Sequence, residues 1–201
     1  MPTRLSFDDG PGPSTPSLLD VLRAASCNAT FFLLGKNLEH APDVAARMVR
    51  EGHLLGNHTW SHARPGALSD EALIDEIEAT DALIRNAYRA AGFAAPDAIP
   101  LRLPYGLEAQ DVRSRVLLHL QRDHIGWTAL FDDWCRPPPS PHALFEAMRQ
   151  HIVERVAQRQ DALLCLHDSS RHGEAHPETV EAVRLLLDHP DGRRSLLDVG
   201  Q

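Results

Sequence analysis

Cysteine is scarce: three in 201 residues (Cys27, Cys135 and Cys165), an odd number with no C-x-x-C pair. That argues against a disulfide framework and against a cysteine-built zinc site. Cys165, inside Ala162-Leu163-Leu164-Cys165-Leu166, is expected to be a small buried apolar residue. No stretch reaches the ~18 consecutive apolar residues of a membrane span. The opening Met1-Pro2-Thr3-Arg4-Leu5-Ser6-Phe7 lacks the apolar core of a signal peptide, so the expectation is a soluble, cytoplasmic protein. Positive charge is also in deficit, with 20 Lys and Arg against 28 Asp and Glu and a net charge of −8. Such a field repels nucleic acid and other polyanions on average, and no basic patch offsets it. A neutral or cationic substrate suits it better. Internal repeats, low-complexity tracts and linkers are missing too, which leaves a single domain over residues 1–201.

What is present is a regular alternation. Short apolar runs at Arg4–Phe7, Ala29–Leu34, His53–Gly56, Ile99–Leu103, His124–Thr128, Ala162–Leu166 and Leu196–Val199 read as buried strands. Amphipathic stretches lie between them. Thr15 is placed to cap a helix that begins at Pro16, with Leu18, Leu19 and Leu22 inward. Pro42 opens another, with Val44, Met48 and Val49 inward and Gly52 as its stop. Ser69 before Asp70 and Glu71 is a capped, dipole-matched start, and Gly92 ends that helix. Val112–Gln121, Ala143–Ala157 and Glu178–Leu187 follow the same pattern. About seven strand–helix pairs imply an α/β fold with a parallel sheet, close to a (β/α) barrel. Such folds place their chemistry at the C-terminal ends of the strands.

Polar residues gather at those ends. His58-Thr59-Trp60-Ser61-His62 sets two imidazoles four apart, which a helical turn would face the same way. They suit Zn²⁺ or a similar ion. The segment is not H-E-x-x-H, so a third ligand and a general base must come from elsewhere. Asp8-Asp9-Gly10-Pro11 supplies both. Adjacent carboxylates after an apolar strand are costly without a cation or strong hydrogen bonds, and they diverge, so one can bind a metal while the other takes a proton. Arg102 sits between apolar residues and needs a carboxylate partner. Pro104 and Gly106 shape a tight loop whose backbone N–H groups could face an oxyanion. His167 is a candidate general acid, with Asp133 or Asp168 to orient it. Trp134 offers an aromatic face for sugar stacking.

Taken together these segments resemble the polysaccharide deacetylase family of carbohydrate esterases, related to chitooligosaccharide deacetylases. The resemblance rests on Ser6-Phe7-Asp8-Asp9-Gly10-Pro11, Asn57-His58-Thr59-Trp60-Ser61-His62, Arg102-Leu103-Pro104-Tyr105-Gly106, Asp133-Trp134 and Leu164-Cys165-Leu166-His167-Asp168, in that order and spread from about Arg4 to Val199. It implies a distorted (β/α) barrel of about seven strands. It implies Asp8 as catalytic base, Asp9, His58 and His62 as metal ligands, and Arg102 tuning the base. Tyr105 would hold the oxyanion through its backbone N–H, Asp133 would orient the acid His167, and Trp134 would wall the groove. Leu166 would contribute to a pocket for the acetyl methyl. One departure is Leu130, where the family usually carries an aspartate three residues before the Asp-Trp pair.

The expected activity is metal-dependent hydrolysis of N-acetyl groups on an amino sugar, such as a chitooligosaccharide. The expected cofactor is a divalent metal, Zn²⁺ first, with Co²⁺ or Ni²⁺ also suited to one aspartate and two imidazoles. The expected partner is the N-acetylated sugar, with neither nucleic acid nor membrane. Two other readings stay open: hydrolysis of a different amide or acetyl ester at the same site, and a non-catalytic carbohydrate-binding protein. Oligomeric state is not readable.

Overall fold

Strand parity sets the architecture. In the computed structural model, which describes residues 3–197 (backbone only at Leu197), strand β1 (Thr3–Asp8) buries Leu5 and Phe7 completely in the main apolar core. Side chains alternate along a strand, so Ser6 and Asp8 face the other way, into the interior of the sheet's curve. Strand β5 (Ala162–His167) repeats this, with Ala162, Leu164 and Leu166 in the same core and Cys165 and His167 facing in. The two strands pair in parallel with Ser6 opposite Cys165 and Asp8 opposite His167. Polar groups that the two strands carry inward therefore meet.

Strands β2 (Thr30–Leu33), β3 (Leu54–Asn57) and β4 (Ala129–Leu130) complete a five-stranded sheet of order β3-β2-β1-β5-β4, all parallel. Single parallel bridges join Asn57 to Leu101 and Leu101 to His124. Ile125 N–H donates to Leu101 C=O and Thr128 N–H to Leu163 C=O, each at 2.8 Å. Segment 124–130 thus touches Leu101 on one side and β5 on the other, and the ring closes as a distorted barrel.

The strand count departs from the expected seven. Ile99–Leu103 and His124–Thr128 are reduced to isolated bridges. The Arg102 side chain takes the carbonyls of Ile125 and Gly126, both at 2.9 Å, and the His124 ring accepts the Leu103 N–H at 3.1 Å. Pro100 and Pro104 have no N–H to give. A continuous ladder cannot form where side chains occupy its donors and acceptors. Of the expected strand Leu196–Val199, Leu196 and Leu197 end helix α8 (Pro190–Leu197); Asp198 and Val199 lie outside the described residues.

Helices cover the outside: α1 (Thr15–Ala24), α2 (Gly35–His40), α3 (Pro42–Arg50), α4 (Asp70–Ala91), α5 (Ser114–Leu120), α6 (Pro141–Ala157) and α7 (Pro177–Asp188). Leu18, Leu19 and Leu22 are buried as the period requires. The α1 cap position is Ser14 rather than Thr15; the Thr15 hydroxyl is drawn instead to Asp168. Ser69 does cap α4, accepting from Ala72 N–H, and Gly92 closes it at φ +85°. A second, smaller core of Leu73, Ile77, Leu101, Leu103, Val116 and Leu117 pins α4 and α5 to the 101–103 segment. Each such fully buried side chain contributes roughly 1.5–3 kcal/mol relative to exposure, which holds Arg102 in register with β1.

Candidate active site

Asp9 leaves β1 at φ +71°, and Thr59, His62 and Tyr105 also hold left-handed backbones, at φ +65°, +59° and +65°. Non-glycine residues in that region cost energy, and such strain gathers at functional sites. The His58–His62 segment is a loop after β3, not the expected helical turn. Asn57 Oδ1 accepts Thr59 N–H at 2.8 Å. Glu76, from α4, accepts the N–H groups of Trp60 and Ser61 at 3.0 Å and the Ser61 hydroxyl at 2.5 Å. These bonds replace helical ones and still bring the two imidazoles together, ring centroids 5.3 Å apart.

The ligand atoms converge as expected. Asp9 Oδ1 lies 3.5 Å from His58 Nε2 and 3.4 Å from His62 Nε2. An ion bound tetrahedrally at about 2.0–2.2 Å needs its ligands about 3.3–3.5 Å apart. Asp9 Oδ1 is buried and has no hydrogen-bond partner among the described residues, a cost that a cation removes. His58 Nδ1 is 2.8 Å from the Arg102 carbonyl, which fixes the tautomer that presents Nε2. Burial, then the neighbouring His58, pushes His62 down to about 3, so it offers a neutral ring. Burial raises Asp9 despite the nearby imidazoles. The three residues therefore fit a divalent metal.

Asp8 is held differently. Burial alone would raise it, but the Arg102 guanidinium, 2.7 Å from Oδ1, leads the opposing charges and holds the carboxyl below its ordinary value. Arg102 is fully buried, lies 4.0 Å from the Phe32 ring centroid, and also donates to Ser6 Oγ at 2.9 Å. Asp8 Oδ2 accepts from the Cys165 thiol at 3.3 Å, and both residues line the cleft. Ser6 and Cys165 carried no legible signal beforehand, because small residues on an inward strand face look like ordinary core.

His167 Nδ1 pairs with Asp133 Oδ1 at 2.8 Å, while Asp133 Oδ2 accepts the His167 N–H at 2.7 Å and the Thr179 hydroxyl at 2.8 Å. Burial disfavours the charged ring, but Asp133 outweighs it and raises His167 to about 9. Of the two candidates, it is Asp133, not Asp168, that is hydrogen-bonded to the His167 ring. Asp168 is fully buried, and burial pushes it up to about 7. A Cβ at Gly10 would sit 2.5 Å from its carboxyl oxygen, so only glycine fits there.

Asp8, Asp9, His58, His62 and His167 line a cleft of about 470 Å³ with Arg64, Tyr105, Trp127, Leu130, Trp134, Arg171 and others. Trp134 is half exposed at the rim, and Leu130, the departure from the family pattern, lines the cleft beside it. Leu166 does not line the cleft. Its parity is that of Leu164, so it packs outward against the helices, fully buried. Apolar contact in the cleft comes from Trp127 and Leu130 instead. Arg64, Trp127 and Arg171 were not foreseen, since they lie in loops without a distinctive spacing.

A parallel α/β barrel with a two-histidine, one-carboxylate cation site, a buried arginine-bound aspartate and an aspartate-bound histidine at its strand ends is built as a metallohydrolase. The polysaccharide deacetylase family model matches residues 3–119. A chitooligosaccharide deacetylase of Bradyrhizobium sp. is 34% identical over 197 residues, covering 91% of this chain and 81% of that protein. A peptidoglycan-N-acetylglucosamine deacetylase of Bacillus cereus is 42% identical over 103 residues, covering 51% of this chain and 35% of that protein. Among solved structures, a family 4 carbohydrate esterase from Streptomyces lividans superposes with a TM-score of 0.71 at 26% identity, covering 98% of this chain and 88% of that one. The chain belongs to the polysaccharide deacetylase family.

Proposed function

We propose that the protein hydrolyses N-acetyl groups of an amino sugar, releasing acetate and the free amine. The observation that carries this is the orphaned Asp9 Oδ1, about 3.4–3.5 Å from two imidazole nitrogens and directly beside an arginine-bound carboxylate. Asp9, His58 and His62 hold a divalent cation, and their mixed N and O donors suit Zn²⁺, with Co²⁺ and Ni²⁺ as neighbours in preference. A cation held there supplies Lewis acidity to the acetyl carbonyl. Asp8 Oδ2 takes a proton from the attacking water, and Arg102 keeps that carboxylate ionised and aimed. His167 gives its proton to the nitrogen as the C–N bond breaks, its other ring nitrogen being occupied by Asp133. Tyr105 contributes a backbone N–H to the oxyanion, a contribution typically worth about 10²–10³ in rate. Trp134 offers a stacking face. The known relatives named for chitooligosaccharide and peptidoglycan deacetylation support the substrate class, and the carbohydrate-binding reading gains nothing from an arginine-bound Asp8 or an aspartate-bound His167.

The test is acetate release from N-acetylglucosamine oligomers, with and without chelator. Turnover that chelation abolishes and zinc restores is expected. Asp8→Asn should retain bound metal and lose turnover by about 10²–10⁴. Chelator-resistant release, or an active Asp8→Asn protein, refutes the assignment; release only from O-acetyl sugars favours the ester reading.

A further inference from the structure

The cleft has an unexpected cationic lining, and it centres on Tyr105. The Tyr105 ring packs edge-on against the His62 ring at 4.7 Å, so it abuts the metal ligands. The Arg64 guanidinium carbon lies 5.5 Å from the Tyr105 ring centroid, and Arg171 Nη1 lies 3.4 Å from the Tyr105 hydroxyl. Among the described residues, neither arginine has a carboxylate within 4 Å. The one other acid of the cleft, Glu174, is bound to the Ser170 hydroxyl at 3.0 Å and lies 3.5 Å from Arg136. Arg171 donates through Nε to the His172 ring at 3.1 Å, and the Lys36 ammonium is hydrogen-bonded to the Arg171 carbonyl. The Lys36 charge adds to the field under that loop. The acids on the floor are already committed, Asp8 to Arg102 and Asp9 to the cation site.

Two guanidinium groups without carboxylate partners, in a chain of net charge −8, flank Tyr105 in the lining of the cleft that also holds Asp8, Asp9 and His167. Guanidinium binds carboxylate and phosphate oxygens through paired N–H groups. A local field of this kind overrides the net charge, which had favoured a neutral or cationic substrate. We propose that Arg64 and Arg171 form a subsite for an oxyanion group on the substrate, so that the sugar turned over carries a carboxylate or phosphate beside its scissile acetamide. The proposal rests on the deacetylase reading and sharpens it: the acetamide addresses Asp8 and His167, and the anion sets which sugar enters.

The test uses the zinc-loaded full chain and three probes: neutral N,N′-diacetylchitobiose, its 6-phosphate, and the disaccharide of N-acetylglucosamine and N-acetylmuramic acid, which carries a carboxylate. Acetate release gives kcat/KM ratios of charged to neutral probe, and calorimetry gives the matching ratios of Kd. At least one charged probe should be preferred by about tenfold. The preference should fall to near unity in the Arg64→Gln, Arg171→Gln double variant, and should weaken in about 0.5 M salt. Which charged probe leads distinguishes carboxylate from phosphate. No preference for either charged probe, or a preference that survives the double substitution, overturns the proposal. If no probe releases acetate, the deacetylase reading fails, while the Kd ratios still decide the anion subsite.

Discussion

At the scale of single residues, Asp8 and His167 are each held against burial by a leading charged partner, whereas burial prevails at Asp9 and His62. Asp133 is the plainest case, because both of its oxygens are used on His167, one on the ring and one on the backbone N–H. Its charge outweighs burial and holds His167 at about 9. In the proposed role of general acid His167 must be protonated, so activity is expected below that value and is lost as pH rises through about 9. Asp133→Asn removes the charge and keeps the shape. Burial then acts unopposed by that partner, and the alkaline limb of the kcat/KM profile should move down towards or below neutrality, with kcat reduced by roughly 10²-fold or more. A profile whose alkaline limb stays near pH 9 would show that another group is the acid. Most of these residues stand out in the sequence because they are chemistry-bearing types in or after apolar runs: Asp8, Asp9, His58 and His167 at strand ends, His62 by its spacing from His58, and Arg102 by its place between apolar residues. Leu166 departs from its expected place in the acetyl pocket, and parity explains it: if His167 faces the cleft, its strand neighbour faces away into the core.

At the scale of elements, what the sequence concealed was how loops substitute for regular structure. Two histidines four apart suggest a helix, yet Thr59 and His62 have positive φ, and Glu76 supplies acceptors that a helix would have supplied from its own carbonyls. The partner lies on α4, fifteen and sixteen residues away from the groups it binds, and no local pattern announces such a distant contact. The weakened strands at Leu101 and His124 have the same origin, since Arg102 and His124 compete for ladder groups. Helices were easier to see because caps and 3.6-residue periodicity are local: Ser69 and Gly92 mark α4 at both ends. The Glu76 contact makes a specific prediction. Glu76→Gln leaves two N–H donors facing a weaker acceptor and loosens the loop without touching a ligand. Zinc affinity, measured by competition with a chromogenic chelator, should fall about 10–100-fold, the usual effect of altering a group that orients ligands. Helical circular dichroism should stay as in the parent. Unchanged affinity would mean that the loop is held by β3 and Asn57 alone.

At the scale of the whole molecule, several buried ionisable groups make stability depend on pH in opposed directions. His53 is 4% exposed, its Nδ1 accepts the Ala29 N–H at 3.2 Å, and its Nε2 is buried without a partner. Burial lowers it to about 4 from 6.5. A base whose folded value is depressed contributes stability that is fully present above its unfolded value and is lost as pH falls from about 6.5 towards 4, because only the unfolded chain takes up the proton readily there. The difference corresponds to roughly 3 kcal/mol over that window. Asp168 works in the opposite sense: its folded value of about 7 against 3.8 costs stability as pH rises between the two. The raw curve mixes both, so the contrast between parent and variant isolates His53. His53→Asn keeps an acceptor near Ala29 N–H and cannot be protonated in this range. Its urea-unfolding free energy should be lower than the parent's at pH 7, by about 1–2 kcal/mol for imperfect packing against Phe31. The gap should close or reverse by pH 4.5, where the parent alone loses the contribution of its neutral imidazole. Parallel parent and variant curves from pH 7 to 4.5 would place the acid sensitivity elsewhere in the molecule.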